Sequence, residues 1–282
     1  MAVIEPASRW DIGAIVARES AETLTGQATG ARVAAARRLL RPAAHLVASR
    51  FVEYDRALGD RGPVRGAEWI VERATGGIVV DGREHVPPSG PTLVVANHPG
   101  LADAVALLAA MRRDDAWIVT ADYPFLRALR SAKRRFLFVD DRCMALRHIV
   151  RRLQAGEAVL LFPAGGLEPD PARSPAAARV SLGSWSRSLD LIARLAPDTQ
   201  IVPAVVSGVV SRTAFQHPLA RRRSPVKEQQ RFASLLQLAF GMYRHESVHV
   251  SFGAALRAST SQLSSAVFAS MTELMESARF RD

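Results

Sequence analysis

The sequence predicts an α/β fold with a central mixed, largely parallel sheet flanked by helices and preceded by an N-terminal helical segment. From Gly76 onwards, short apolar runs of strand length alternate with stretches of helical periodicity. Before that point, apolar residues recur at helical spacing, without a run typical of a strand. Because alternating strands and helices are typical of layered α/β domains, we expect a helical segment at 1–75 and an α/β domain at 76–282.

The strands are predicted from seven apolar runs, and two polar segments separate helices from strands. The runs are GIVVDG, TLVVANH, AWIVTA, RRFLFVDD, AVLLFPAGG, IVPAVVSGVV and SVHVSFG. The helix-like stretches between them include LADAVALLAAM, CMALRHIVRRLQAG and WSRSLDLIARLA. The segments PDPARSPAAAR and HPLARRRSPVKEQQR are expected to be loops or exposed insertions, because they are rich in proline and charge.

The composition is that of a globular protein without disulfides. The chain has 282 residues, 48% of them hydrophobic and 23% charged, and one cysteine, Cys143, so no internal disulfide can form. The first residues lack an unbroken apolar core, so no signal peptide is expected, and no window is apolar enough for a membrane span. These features predict a cytoplasmic protein, peripheral on the inner face of the cell membrane.

The charge predicts an anionic partner. Lys and Arg number 37 against 27 Asp and Glu, which gives a net charge of +10. Nucleic acid, an anionic membrane surface, and phosphorylated substrates or acidic carrier proteins all fit this charge. Aromatic residues are only 6% of the chain and no nucleic-acid-binding motif is present, so we expect no nucleic acid partner. Arginine-rich composition bias is an alternative source of the excess.

Two interpretations fit the basic amphipathic stretch at 31–58. Its apolar residues, including Val33 and Val47, lie near one helical face and its arginines lie largely off that face. Such a helix can lie on anionic lipid, or it can pack on its own domain. Pro42 is expected to kink the helix or to split it in two.

A histidine and an aspartate follow the second apolar run of the predicted α/β domain. The run TLVVA stops at Asn97 and His98, which places His98 at the carboxyl edge of the sheet, where open α/β folds bind ligands. Asp103 follows in the first turn of the next helix, where the helix dipole favours a carboxylate. Asp103 can therefore hold one imidazole nitrogen while the other serves as a general base for a substrate hydroxyl. The alternative is an Asp103 that only caps the helix and a His98 that closes a turn.

Four ordered sequence blocks then give a family resemblance. SGPTLVVANHPGLADA resembles the first block of the glycerolipid acyltransferase family, of the lysophosphatidate (1-acylglycerol-3-phosphate) acyltransferase type, whose hallmark is N-H-x4-D after an apolar strand. RRFLFVDDRCMALRHIVRRLQAG is similar to the second block, AVLLFPAGG to the third, which is normally F-P-E-G, and IVPAVVSG to the fourth. The resemblance covers about residues 76 to 255.

The resemblance implies an enzyme that moves a fatty acyl group from acyl-CoA or acyl carrier protein to the hydroxyl of a lysophospholipid, with lysophosphatidate giving phosphatidate. It makes His98 the catalytic base and Asp103 its partner, and it implies no metal and no cofactor beyond the acyl donor. The other positions that it carries over are Asn97, which shapes the turn, Arg142, which binds the acceptor's phosphate, and Phe162, Pro163 and Gly165, which line the acceptor side of the pocket. Arginine suits this task because its planar fork pairs with two phosphate oxygens.

Two blocks depart from the family pattern. The third has Ala164 where glutamate is usual, with Glu168 four residues later, and the second has Asp140 and Asp141 before Arg142 where one aspartate is usual. These departures leave the base intact and put the acceptor in question. The alternatives are another lysolipid acceptor, such as an amino-acid-linked lipid, and a non-catalytic lipid-binding member of the fold.

A remote alternative is a zinc protease, because His245-Glu246-Ser247-Val248-His249 matches H-E-x-x-H. This motif binds zinc only on a helix, where positions four apart share a face. The continuation SVHVSFG alternates as a strand does, and positions four apart on a strand are separated by about 13 Å. We therefore predict that His249 lies in the core sheet. Nucleophile-elbow, P-loop and dinucleotide-binding motifs are absent from the sequence.

Overall fold

In the computed structural model, which describes residues 9–25, 29–139, 141–186, 188–244, 246–260 and 262–277, helices and strands alternate after a run of helices. The strands are β1 (Ile78–Asp81), β2 (Thr92–Ala96), β3 (Trp117–Ala121), β4 (Phe136–Val139), β5 (Ala158–Leu161), β6 (Gln200–Ser207), β7 (Val248–Phe252) and β8 (Leu256–Arg257). The helices are α1 (Arg9–Thr25), α2 (Ala31–Arg61), α3 (Pro63–Ala74), α4 (Asp103–Met111), α5 (Pro124–Ala128), α6 (Arg142–Gln154), α7 (Pro175–Ser181), α8 (Ser188–Leu195), α9 (Arg212–Phe215), α10 (Pro218–Arg221), α11 (Val226–Ala239) and α12 (Leu263–Ser277). None of the helices within these ranges is long and apolar enough to cross a membrane.

One mixed sheet of eight strands is formed by the described residues, in the order β1-β7-β6-β2-β5-β3-β4, with β8 paired to β6. The five strands from β6 to β4 are parallel to one another, and β7 and β8 run antiparallel to β6. This arrangement confirms the predicted mixed, largely parallel sheet. The carboxyl ends of β2, β5 and β6 consequently meet at one edge.

Strand β2 lies at the centre of the core. All five of its residues are buried. Val94 and Ala96 face one apolar cluster, and Leu93 and Val95 face a second cluster on the other side, because successive strand residues point to opposite faces. Burial on both faces explains why the run reads as continuously apolar, and it fixes the position of the residues that follow Ala96.

The N-terminal helices pack on the sheet layer. Ile12 of α1 and Val47 and Tyr54 of α2 are buried in the same cluster as Val94. Of the two interpretations of the basic stretch, packing on its own domain is therefore observed for its apolar face, while its arginines are exposed at positions 32, 37, 38 and 41. Helix α2 continues through Pro42, so the expected split does not occur. Pro42 is exposed, which leaves water as a partner for the carbonyl group that its ring deprives of a hydrogen bond.

The two segments expected to be loops or exposed insertions are partly helical, so the loop alternative was wrong, whereas residues 221–227 of the second segment are exposed. PDPARSPAAAR contains most of α7, and HPLARRRSPVKEQQR contains α10 and the beginning of α11. Asp170 in the first segment is fully buried, and its carboxylate accepts hydrogen bonds from the backbone N–H groups of Ala172, Gly208 and Val210. Internal hydrogen bonds thus satisfy polar residues whose sequence pattern indicates exposure.

Candidate active site

His98 and Asp103 form a hydrogen-bonded pair at the carboxyl edge of the sheet. His98 follows β2 by two residues, and its Nδ1 lies 2.7 Å from Oδ2 of Asp103, the first residue of α4. Asp103 is fully buried and also accepts the backbone N–H groups of Gly100, at 2.9 Å, and Ala104, at 2.6 Å. Because a carboxylate only accepts, Nδ1 carries the proton, and Nε2 is the nitrogen available to a substrate.

The surroundings make His98 a stronger base than a free histidine. Burial of the imidazole disfavours its charged form, but the negative charge of Asp103, the hydrogen bond to it and the charge of Glu168 act in the opposite direction. Together they outweigh burial, so the pKa of His98 lies above its ordinary value of 6.5. The side chain remains 27% exposed, so a substrate can reach it.

Asn97 fixes the end of β2 against β6. Its buried amide accepts the backbone N–H of Val206 at 2.8 Å and donates to the carbonyl oxygen of the same residue at 2.9 Å. This pair of bonds extends the contact between the two strands by one residue after β2 ends. Asn97 therefore sets the point from which the chain turns into His98.

The third block lies beside His98, since β5 is the neighbour of β2. The ring of Phe162 stacks on the imidazole with 4.5 Å between centroids, and Pro163 is buried next to it. Gly165 adopts φ +66°, a conformation that favours glycine, and its N–H closes a turn onto the carbonyl of Phe162 at 3.1 Å. Ala164 packs against the second apolar cluster. The structure thus places Phe162 against His98, with Pro163 and Gly165 in the turn that follows Phe162.

Arg142 lies farther away. It is the first residue of α6, after β4, and β4 stands three strands from β2, which corresponds to about 14 Å between backbones. Its side chain is outside the described residues, so its role stays a prediction. Asp141, the second aspartate of the unusual pair, caps α6 by accepting the N–H groups of Cys143 and Met144. Asp140 lies outside the described residues.

Glu168 is a site residue that the sequence alone did not establish. It is only 2% exposed, and one carboxylate oxygen accepts the backbone N–H of His98 at 3.0 Å. The other oxygen accepts hydrogen bonds from Oγ of Ser181 at 2.9 Å and from Nε1 of Trp185 at 2.7 Å. Burial raises the pKa of Glu168, and the hydrogen bonds from Trp185, Ser181 and His98 oppose that rise. The one sequence signal was a glutamate four residues beyond Ala164.

Residues 246–249 of the H-E-x-x-H sequence do not form a helix. Val248 to Phe252 is strand β7, in which His249 pairs with Val79 and Ser207, so the strand prediction for His249 is confirmed. Glu246 forms an ion pair with Arg173 and accepts the backbone N–H of Arg212. His245 lies outside the described residues. Within the described part of the chain, no group of three His, Cys, Asp or Glu side chains is arranged to hold a metal ion.

Comparisons with known proteins relate this α/β domain to acyltransferases in sequence and in fold. Residues 77–207 match the family model described as Acyltransferase. The crystal structure of 1-acyl-sn-glycerophosphate (LPA) acyltransferase, PlsC, from Thermotoga maritima is similar with a TM-score of 0.53 and 16% identity, covering 86% of this chain and 96% of that chain. Among curated proteins, no sequence matches the chain significantly. Over residues 77–207 this match supports the family and the enzyme class predicted from the four blocks.

Proposed function

We propose that this enzyme transfers a fatty acyl group from acyl-CoA or acyl carrier protein to the free hydroxyl of a lysophospholipid, with 1-acylglycerol-3-phosphate as acceptor and phosphatidate as product. The observation that carries the proposal is the hydrogen bond between His98 Nδ1 and Asp103 at the open edge of the sheet. It orients an imidazole whose second nitrogen is available to a hydroxyl group. No side-chain nucleophile is required for such a transfer.

In the proposed reaction, Nε2 of His98 takes the proton of the acceptor hydroxyl while the hydroxyl oxygen attacks the thioester carbonyl carbon. Asp103 holds the Nδ1-H tautomer and stabilises the imidazolium that forms. The tetrahedral intermediate then collapses, the C–S bond breaks, and the imidazolium returns the proton to the departing thiolate. Attack is direct, so no acyl-enzyme accumulates.

The choice of acceptor is supported by charge and by likeness. The net charge of +10 favours a substrate that carries a phosphate. The similar Thermotoga maritima protein is a 1-acyl-sn-glycerophosphate acyltransferase. The second candidate is an acyltransferase for another lysolipid, favoured by Ala164 in the third block, where the family usually has glutamate. The intact His98–Asp103 pair argues against a lipid-binding protein without catalysis.

Replacing Arg142 by alanine is expected to weaken the enzyme mainly toward phosphate-bearing acceptors. Hydrogen bonds to charged groups contribute about 1.5–3 kcal/mol, so we expect kcat/KM for lysophosphatidate to fall about 10- to 100-fold. The measurement compares lysophosphatidate with monoacylglycerol, which has no phosphate. Arg147→Ala, an exposed arginine on the same helix, is the matched control. An equal loss with both acceptors would contradict a phosphate-binding role for Arg142.

We further propose that the enzyme works as a peripheral protein on the inner face of the cell membrane, with an exposed basic corner toward anionic lipid. Arg221, Arg222, Arg223 and Lys227 are all exposed there, next to the exposed apolar residues Leu219 and Val226. Helix α11, which contains Val226 and Lys227, also contacts the loop that carries His98, because Gln230 donates a hydrogen bond to the carbonyl oxygen of Pro99. A membrane at this corner therefore lies near the site.

Removing this basic corner is expected to weaken lipid binding. Each basic residue near an anionic surface contributes about 1 kcal/mol, so R221A/R222A/R223A should lower partitioning onto phosphatidylglycerol-containing vesicles on the order of 100-fold. Cosedimentation at increasing salt measures this, and wild-type binding should weaken as salt rises. A second variant, R37A/R38A/R41A, tests whether the exposed arginines of α2 bind the lipid instead. The control, R147A/R151A/R194A, removes the same number of charges elsewhere on the surface. Salt-insensitive binding, or a larger loss in the α2 variant, would contradict the assignment.

A further inference from the structure

Glu168 forms hydrogen bonds with both the backbone N–H and the backbone carbonyl of His98. Its backbone N–H donates to the carbonyl oxygen of His98 at 2.8 Å, and its carboxylate accepts the backbone N–H of His98 at 3.0 Å. Both polar groups of one residue's main chain are thus bound by a single residue seventy positions later. His98 lies in a loop between β2 and α4, and among the described residues no strand or helix pairs with its backbone.

Other hydrogen bonds hold Glu168 itself in place. Ser181 of α7 and Trp185 after it donate to the second carboxylate oxygen of Glu168. The buried side-chain amide of Gln230 donates to the carbonyl oxygens of Pro99 and Glu168 and accepts the backbone N–H of Asp170 at 2.8 Å. Glu168 is therefore held on both sides, and the loop that carries His98 is joined to the loop after β5.

Charge adds a second consequence. The charged groups that act on His98 are Asp103 at the start of α4 and Glu168 in the loop after β5, while Phe162 covers one face of the ring. Both carboxylates favour the imidazolium over the neutral imidazole. Asp103 does so through a direct hydrogen bond, whereas Glu168 acts through the backbone and through space.

We propose that Glu168 is the positioning residue of this site: it holds the His98 backbone so that the imidazole meets Asp103, and its negative charge stabilises the imidazolium that forms when His98 accepts the proton. This role rests on the proposed function, in which His98 is the general base. Glu168 does not touch the reacting atoms. Its two contributions, position and charge, affect different measurements and can be separated.

The test is a pair of Glu→Gln variants followed by NMR and by kinetics. Glu168→Gln removes the charge beside His98, and Glu157→Gln removes a charge near the amino end of β5, at the opposite edge of the sheet, where Glu157 pairs with Arg152. An NMR titration of the His98 ring, assigned by the signal missing in His98→Gln, needs no substrate. We expect His98 to titrate at a lower pH in Glu168→Gln than in wild type and Glu157→Gln.

The kinetic expectation follows from the same physics. Activity needs neutral His98 and therefore rises as pH increases through its pKa, so the acid limb of the kcat/KM profile should move to lower pH in Glu168→Gln. Misplacement of the base should also reduce kcat by about 10- to 100-fold, with a smaller change in KM. Glu157→Gln should keep the wild-type profile. A purely structural role would lower thermal stability without moving either the titration or the acid limb.

A folded Glu168→Gln with the wild-type titration of His98 and wild-type kcat would overturn the proposal. If this variant does not fold, Glu168→Asp carries the test, because it keeps the charge and shortens the side chain by one methylene. Reduced kcat at wild-type thermal stability then supports the positioning role, and wild-type kcat overturns it. If the wild-type protein transfers no acyl group but the titration of His98 still shifts in Glu168→Gln, the effect of Glu168 on His98 is retained and the proposed function is rejected.

Discussion

His98→Ala is expected to lose acyl transfer by about 10²- to 10⁴-fold, the usual contribution of a positioned general base. The loss should appear in kcat, because in the proposed reaction the imidazole acts on the hydroxyl proton in the transition state and is only a small part of the binding surface. Steady-state transfer from oleoyl-CoA to lysophosphatidate measures it. Thermal unfolding should change little, since the side chain is partly exposed.

The control for this prediction is His148→Ala, which removes an exposed histidine from α6. It should retain wild-type turnover. A His98→Ala enzyme that keeps most of its turnover would remove His98 from the mechanism, whatever the fold. Circular dichroism shows whether the His98→Ala variant is folded, and so distinguishes activity lost through unfolding from activity lost through removal of the base.

Asp103→Asn is expected to reduce kcat by a similar amount, about 10²- to 10⁴-fold, although it changes one atom. The neutral amide no longer stabilises the imidazolium and no longer enforces the tautomer with the proton on Nδ1. Since Asp103 contributes to the raised pKa of His98, the residual activity should have its acid limb at lower pH than the wild type. The pH profile of kcat/KM measures both effects.

A matched variant distinguishes chemistry from packing for Asp103. Asp190→Asn makes the same change in α8, where the carboxylate accepts the N–H and Oγ of Ser264. It should lower thermal stability modestly and leave the pH profile unchanged. An Asp103→Asn enzyme with the wild-type profile and turnover would show that Asp103 only caps α4, which is the structural alternative to an oriented base.

The parts of the site that could be predicted from sequence are local. An apolar run that is buried on both faces, a Pro-Gly turn and a helix start were enough to place His98 and Asp103 together, because only four residues separate them. The likeness of four ordered blocks then gave the positions around Phe162. Proximity of Phe162 to His98 follows from the pairing of β2 with β5.

The contributions of Glu168 and Gln230 could not be predicted, because they depend on tertiary contacts. Glu168 lies seventy positions after His98, and Gln230 contacts Pro99 from a helix in a segment that is expected from sequence to be a loop or an exposed insertion. Polar residues that fill internal hydrogen bonds and polar residues that face water have the same sequence pattern. The two alternatives for α2 also needed the structure, because an apolar helix face that packs on a domain resembles one that lies on lipid.

The most direct test of the central claim is acyl transfer by the wild-type enzyme from radiolabelled oleoyl-CoA to lysophosphatidate in detergent micelles. Labelled phosphatidate should form with turnover, without a burst of acylated enzyme, and at a higher kcat/KM than with neutral lysolipids. No transfer to any lysolipid by a folded enzyme, with acyl-CoA or acyl carrier protein as donor, would contradict the proposed reaction and favour a lipid-binding protein.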